Sequence, residues 1–305
     1  MTKLTNSKHI TVVIGVKRAN PNGDPDAENM PRQDSNGKGI ISSVCLKRNI
    51  RNQLQDRMEN VLYYNASHSG ESEKNIKDIL LSNPTVMQAF KENIGSNEKK
   101  RVIASEFTDV RMFGATLAFK EDKKNKELSK LSLGINGVVS VQQAESVEPI
   151  MVDSMRITKS LNSEFVEKKS KNKSDTNPES TESGKGSDTM GMEHVVEFGV
   201  YKTNMYVPQI MADKLGCSNE DYTLLLDCIK HMFDNDYSEA RPAGSMEVLA
   251  IVTTDNAEKF SKYELDNMVK ISQPEGCDDF GKVSISFEPK KLDNTVVTNK
   301  VYSLI

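Results

Sequence analysis

Tryptophan is absent from the 305 residues, and aromatic side chains make up only 6%. Proteins that hold single strands by extensive base stacking use aromatic platforms, so heavy readout of bases is not indicated. Cysteine is scarce as well. The four (Cys45, Cys217, Cys228, Cys277) show no C-x-x-C spacing, which leaves no redox or metal-ligand motif and fits a reducing cytoplasm. The four histidines (His9, His68, His194, His231) also lack metal-ligand spacing. No apolar run is long enough to span a bilayer. The N-terminal Ile10 to Val16 run has no small-residue cleavage pattern after it. The expectation is a cytoplasmic protein with no membrane partner and no cofactor. Neither G-x-S-x-G, G-x-x-x-x-G-K-[ST] nor G-x-G-x-x-G occurs. Ser183-Gly-Lys-Gly-Ser187 comes near a phosphate loop, but it lies in a low-complexity stretch with no strand before it.

What is present is polar. Hydrophobic residues are 36% and charged residues 28%, with a net charge of −4. The charge is uneven. Arg32 to Arg57 holds six cations (32, 38, 47, 48, 51, 57) against Asp34 and Asp56, a local +4 in an acidic chain. A local field of this kind suffices for phosphate contact whatever the net charge. The stretch has two halves. Asn20 to Gly39 is turn chemistry, with Asn22-Gly23, Asn36-Gly37 and prolines 21, 25 and 31. Ser42 to Arg57 predicts a helix, because Ile50, Leu54 and Met58 recur at helical spacing. Lys47 and Arg51, four apart, share one face with Arg48 beside them. On charge alone this is an ordinary solvated helix face; with the loop that delivers it, a phosphate-binding surface is the alternative.

Along the chain, His9 to Lys17 predicts a buried strand, and Asn60 to Lys100 a small helical insertion. Phe107 to Phe119 is apolar with an embedded arginine. Strands are expected at Val138 to Val147, Pro149 to Leu161 and His194 to Tyr206. Between the last two, Glu164 to Thr189 is nearly all Ser, Lys, Glu, Asp, Asn and Gly, too polar to offset the entropy of ordering. A long hairpin arm with a mobile tip follows. Ser218 to Phe233 predicts a helix opened by Ser218 and Asp221 in a capping-box arrangement. Ser245 to Thr254 predicts a strand, Ala257 to Ile271 a last helix, and Lys282 to Phe287 a closing strand. The tail from Glu288 either packs elsewhere or frays. The fold class is α+β: a β-α-β core of the ferredoxin-like or RRM-like kind, enlarged by insertions.

Three sites of possible chemistry remain. Asp24, Asp26 and Glu28 alternate as in a calcium loop, but Asn29 and Ser35 stand where Gly and Glu are needed; turn hydrogen bonds explain them, and no metal is expected. Arg111, in an apolar segment, needs Asp109, another carboxylate or a ligand phosphate as partner. Gln142, Gln143, Arg156 and Lys159 sit in predicted strands where a nucleic acid could lie. A metal-dependent ribonuclease using Asp24, Asp26 or Asp109 is the alternative to a non-catalytic binder.

Matching residues run along most of the chain: Asn22-Gly-Asp-Pro25, Pro31-Arg32 with Asp34, Val44-Cys-Leu-Lys-Arg48, Ile50-Arg51-Asn52, Asp109-Val-Arg111 and Phe113-Gly114. They continue through Pro149-Ile150, Ile157-Thr-Lys159, Thr189-Met-Gly191, Gly199-Val-Tyr201, and Met232-Phe-Asp234 with Asp236, Ser238 and Arg241. In this order and spacing the chain resembles the backbone subunit of type I CRISPR Cascade effector complexes, in the branch of subtypes I-C and I-B. The resemblance implies an RRM-like palm (1–59, 105–149 and 207–287), a helical fingers lobe (60–104), a thumb hairpin (150–206, tip 164–189) and an extension (288–305). It implies a non-enzymatic protein that polymerises along CRISPR RNA beside other Cascade subunits. Target DNA then pairs with the guide, so base pairing supplies sequence and the protein supplies shape and charge. The residues expected at the RNA are Lys17, Arg18, Asn22, Arg32, Lys47, Arg48, Arg51, Arg111, Phe113, Gln142, Arg156, Lys159 and Met190.

Overall fold

The computed structural model describes residues 2–57, 59–69, 74–92, 94–158, 190–288 and 299–303. Its main sheet is antiparallel and has eight strands. They are β1 (Lys8–Ala19), β2 (Lys38–Ile41), β3 (Ala144–Pro149), β4 (Val152–Thr158), β5 (Met190–Val207), β6 (Met246–Asp255), β7 (Asn299–Ser303) and the short Ser140–Val141. The order is β7-β6-β1-β5-β3-β2, with β4 and Ser140–Val141 also paired to β5. The tail therefore returns to the sheet, Asn299 to Ser303 lying against Thr254 to Ala250.

β1 is central and buried on both faces, which is why its sequence reads as a continuous apolar run. Ile10, Val12, Ile14 and Val16 point into the main core, whereas Val13 faces a second cluster with Val200, Leu249 and Ala250. Leu249 is the extra residue of a bulge opposite Val13 and Ile14, so Val248 and Ile251 both face the main core although three apart.

The main core is closed by two helices. α1 (Ser43–Asp56) starts where Ser42, in extended conformation, accepts the Cys45 N–H at 3.2 Å. Its Leu46, Ile50 and Leu54 are wholly buried. Further along the chain, past the helices of the inserted lobe, α2 (Thr108–Phe113) is a short helix where the sequence showed only an apolar run. α3 (Asn219–Lys230) opens with the expected capping box: Ser218 Oγ accepts the Asp221 N–H at 3.1 Å, and Asp221 accepts the Ser218 N–H at 2.9 Å. It packs Leu225, Cys228 and Ile229 against the sheet.

The inserted lobe is larger than residues 60–104. Helices Ile76–Ser82, Pro84–Lys91 and Ser96–Glu106 share one cluster with a hairpin, Ala115–Ala118 against Ser132–Ile135. Leu117, Leu133 and Ile135 thus belong to the lobe and not to the main sheet. Gly114 and Gly137 allow this turn, because a Cβ on Gly137 would overlap the Phe113–Gly114 backbone.

Two further expectations change. Ala257 to Ile271 is not one helix. Ser261 caps a new short helix, α4 (Lys262–Asn267), and Val269–Ser272 pairs as a strand with Ser284–Phe287. The arm is also shorter than 150–206, since β5 pairs with β4 only as far as Val196 and lies along β1 from there to Val207. The polar stretch 164–189 lies outside the described residues, as does Lys159.

Candidate nucleic-acid interface

Lys47, Arg48 and Arg51 come together on the side of α1 that meets the inserted lobe, and all three are half-buried. Arg48 Nη1 donates to the Tyr63 carbonyl at 2.7 Å. Arg51 lies between two rings, its guanidinium carbon 4.7 Å from the centroid of Tyr63 and 5.2 Å from that of Phe113. Its Nε donates to Asp109 Oδ2 at 3.2 Å. Lys47 has no carboxylate partner among the described residues, and burial followed by the Arg51 charge lowers its pKa. Burial and then Arg51 lower that of Arg48 too. Arg48 and Arg51 thus lie by one wholly buried carboxylate, with Lys47 adding a third positive charge beside Arg51. Opposite charge supplied from outside would relieve that imbalance, and a phosphate is the natural source.

Asp109 and Arg111 act as two separate clips. Asp109 accepts the backbone N–H groups of Leu62 (2.8 Å) and Tyr63 (3.1 Å) besides Arg51. Arg111 does not pair with its neighbour. Its Nε and Nη2 reach Asp221 at 3.1 and 2.6 Å, and Nη1 reaches the Ala104 carbonyl at 2.8 Å. At 8% exposure Arg111 joins α2 to the N-terminus of α3, its guanidinium committed to Asp221 and the Ala104 carbonyl. Phe113 supports Arg51 and packs on the main core.

The other expected residues are spread. Asn22 Oδ1 accepts the Ser42 N–H at 2.9 Å and so ties the turn-rich loop to the start of α1. Arg32 lies 3.3 Å from Asp24. Lys17 and Arg18 are exposed at the end of β1, with Arg18, at φ 53°, 3.4 Å from Asp153. Arg156 is exposed on β4, and Met190 opens β5 opposite Thr158. Gln142 belongs elsewhere. It contacts Asn204, which accepts from Thr11 Oγ1, and Thr11 faces away from α1. There Gln142 edges a cleft of about 580 Å³ with Lys38, Lys202, Asn204, Asp266 and Lys270. Asp24, Asp26 and Asp109 are not brought together: Asp24 and Asp26 share the exposed turn, while Asp109 is buried under Arg51.

One element escaped the sequence reading. The loop after α3 is pinned against the last turns of α1 and over the end of β1. Gln53 Nε2 donates to the Asp234 carbonyl (2.8 Å), Asn20 N–H to the Ala240 carbonyl (2.8 Å) and Lys17 N–H to the Ser245 carbonyl (2.8 Å). It carries Asp236 and Arg241, 3.1 Å apart, and Tyr237, 61% exposed. The only signal in sequence was the spacing Asp236–Ser238–Arg241 in a Gly- and Pro-containing turn.

These features define a mixed α/β protein with a main antiparallel sheet and a half-buried cationic cluster beside an inserted lobe. The chain belongs to the family of CRISPR-associated protein Cas7, whose family model matches residues 6–293. A CRISPR-associated protein Cas7 of Haloferax volcanii is 37% identical over 131 residues, 42% of this chain and 36% of that protein. The matched part is thus little more than a third of the relative's length. Among solved structures, a chain of a "CRISPR RNA-guided surveillance complex, pre-nicking" has a TM-score of 0.46 at 14% identity, over 82% of this chain and 78% of that one. A chain of another "CRISPR RNA-guided surveillance complex" has a TM-score of 0.42 at 14% identity, over 82% and 69%.

Proposed function

We propose that the protein is a non-catalytic, CRISPR RNA-binding backbone subunit of a cytoplasmic Cascade-type complex, in the subtype I-C/I-B branch. Copies line up along the guide, other Cascade subunits join them, and target DNA pairs with the exposed guide bases. The observation that carries this reading is the Lys47–Arg48–Arg51 cluster, three half-buried cations of which, among the described residues, only Arg51 is paired to a carboxylate, that of Asp109. Membership of the Cas7 family supports it. The strand order β6-β1-β5-β3, with α1 following β1 and α3 following β5, supports a ferredoxin-like palm. The lobe from about 62 to 135 would be the fingers, and β4 with the first part of β5 the thumb. Exposed Met155, Ile157 and Met192 on that hairpin suit contact with a neighbouring copy.

Lys47 is the variant of choice, because Arg51 also holds the lobe. Lys47→Ala should weaken binding of single-stranded RNA about tenfold and lower the salt slope by about one. Binding measured by fluorescence anisotropy at several salt concentrations tests this. An unchanged affinity and slope would remove the cluster from the RNA site.

A further inference from the structure

The cleft beside Gln142 lies on the face of the sheet away from α1, and its far wall is a strand edge. Val269, Lys270 and Ile271 all line it, although neighbours in a strand point to opposite faces. Three consecutive residues border one space only along the edge of their strand. The other edge is taken by Ser284–Phe287, none of which lines the cleft. The register says which groups are free. Glu288 N–H donates to the Met268 carbonyl at 2.9 Å, so in this antiparallel pair Lys270 and Ser272 bond to the partner strand. The N–H and C=O groups of Val269 and Ile271 therefore point the other way, and they have no further backbone partner among the described residues. An edge of this kind is a template for another strand.

The side chains around it define what that strand carries. Lys38, from β2, and Lys270 line the cleft with no carboxylate at ion-pair distance among the described residues, whereas Lys202 is held by Asp266 at 2.8 Å. The cleft runs on past Gln142, Asn204 and Asp266 into a smaller cavity of about 230 Å³. There Lys262 rests on the Tyr206 ring, and Tyr263 stands 79% exposed. Two carboxylates oppose these four lysines: Asp266, and Glu145, which accepts from Gln143 Nε2 at 2.7 Å. The excess of lysine favours an anionic occupant, and the strand edge favours peptide backbone. A phosphodiester carries a charge at every unit and would set some of them against Glu145 and Asp266. An extended polypeptide carries charge only where its sequence places it, and the exposed amides of Gln142 and Gln143 suit its backbone.

We propose that this cleft is a docking groove for an extended acidic segment of a partner protein, which adds as a third strand to the free edge of Val269–Ser272 and sets its carboxylates against Lys38 and Lys270. A lysine on an edge strand also serves to keep other strands away. The convergence of Lys38, from a different sheet, on the same space distinguishes a groove from a guarded edge. The edge offers two N–H and two C=O groups, so the interface is small and the docking transient. It lies across the sheet from the Lys47 cluster and rests on no part of the RNA reading.

The test uses the full chain. Twelve-residue peptides are selected by phage display on the parent and counter-selected on Lys38→Glu/Lys270→Glu. The sequences that prefer the parent should be acidic, and a labelled synthetic copy of one should bind about tenfold more weakly to the double variant by anisotropy. Lys47→Ala should leave its affinity unchanged. N-methylation of one alternate set of its residues should abolish binding, and methylation of the other set should be tolerated, because only one edge of an added strand bonds to its neighbour. The methylation series is read on the parent chain, so it stands even if the double variant is unstable. A selection in which no sequence prefers the parent overturns the proposal, as do neutral or basic winners. Winners that tolerate methylation of both sets overturn the strand addition. If the double variant instead loses affinity for a labelled single-stranded RNA while no peptide is selected, the cleft is a nucleic-acid surface and the proposal falls. It falls equally if the double variant only lowers the mass of the nuclease-treated chain, since the groove then joins copies of this protein.

Discussion

Asp109 and Arg111 stand two residues apart on α2 and hold opposite sides of the molecule. Asp109 fixes residues 62 and 63 and Arg51, whereas Arg111 fixes the cap of α3. Removing one partner of a buried ion pair leaves the other charge uncompensated, at a cost of about 3–5 kcal/mol. Asp109→Ala and Arg111→Ala should each destabilise the fold by that amount in urea unfolding. Lys47→Ala, with no carboxylate partner, should leave the midpoint within about 0.5 kcal/mol. Equal stabilities for all three would contradict the structural role assigned to Asp109 and Arg111. Part of this was legible in sequence. An arginine among apolar residues announces that it needs a partner, and Ser218 with Asp221 announces a cap. That Asp221 serves both was not legible, because 110 residues separate it from Arg111 and no local spacing encodes the pairing.

At the scale of elements, the face of the sheet away from α1 is covered by α4 and its neighbours through polar contacts. Asp266 accepts from Asn204 at 2.6 Å and from Lys202 at 2.8 Å, while Phe260, Leu265 and Met268 pack beside them. His9 lies beneath this cover. Burial first, and then the Lys262 charge, lower its pKa from 6.5 to about 4. The folded chain therefore keeps His9 neutral where the unfolded chain takes up a proton. Stability is retained above about pH 6.5 and lost as the pH falls toward 4, by at most about 3 kcal/mol. His9→Gln should flatten the pH dependence of the melting temperature across that window. A parent-like acid loss in the variant would assign it to other groups. The sequence showed His9 opening a buried strand, but the cover above it was misread as one helix. Phe260, Leu265 and Met268 do fit a helical stripe. The Ser261–Glu264 capping box starts the helix late, and β-branched Val269 and Ile271 join a strand pair instead.

At the scale of the whole molecule, the chain carries a net charge of −4 while residues 32 to 57 carry a local +4. On the proposed reading, a polyanion lines up copies that otherwise repel one another weakly. The central β1, α1 and α3 were readable because each has a strong local period or composition. The lobe's hairpin was not, since Leu117, Leu133 and Ile135 alternate as main-sheet residues would, and only their shared cluster with Phe90 and Ile103 assigns them. A chain that lines up along a guide as proposed should assemble in steps. Mass photometry of the purified chain after nuclease treatment should show a small species. Single-stranded RNAs of increasing length should then add whole copies at a regular interval, and high salt should reverse the series, because phosphate contacts dominate the affinity. On the same reading the arm adds a second, salt-resistant contribution through exposed Met155, Ile157 and Met192. Serine at these three positions should therefore leave single-copy binding on short RNA unchanged and blur the steps on long RNA. Large assemblies that persist without RNA, or masses that rise without regular steps, would mean that the copies are organised by protein contacts alone.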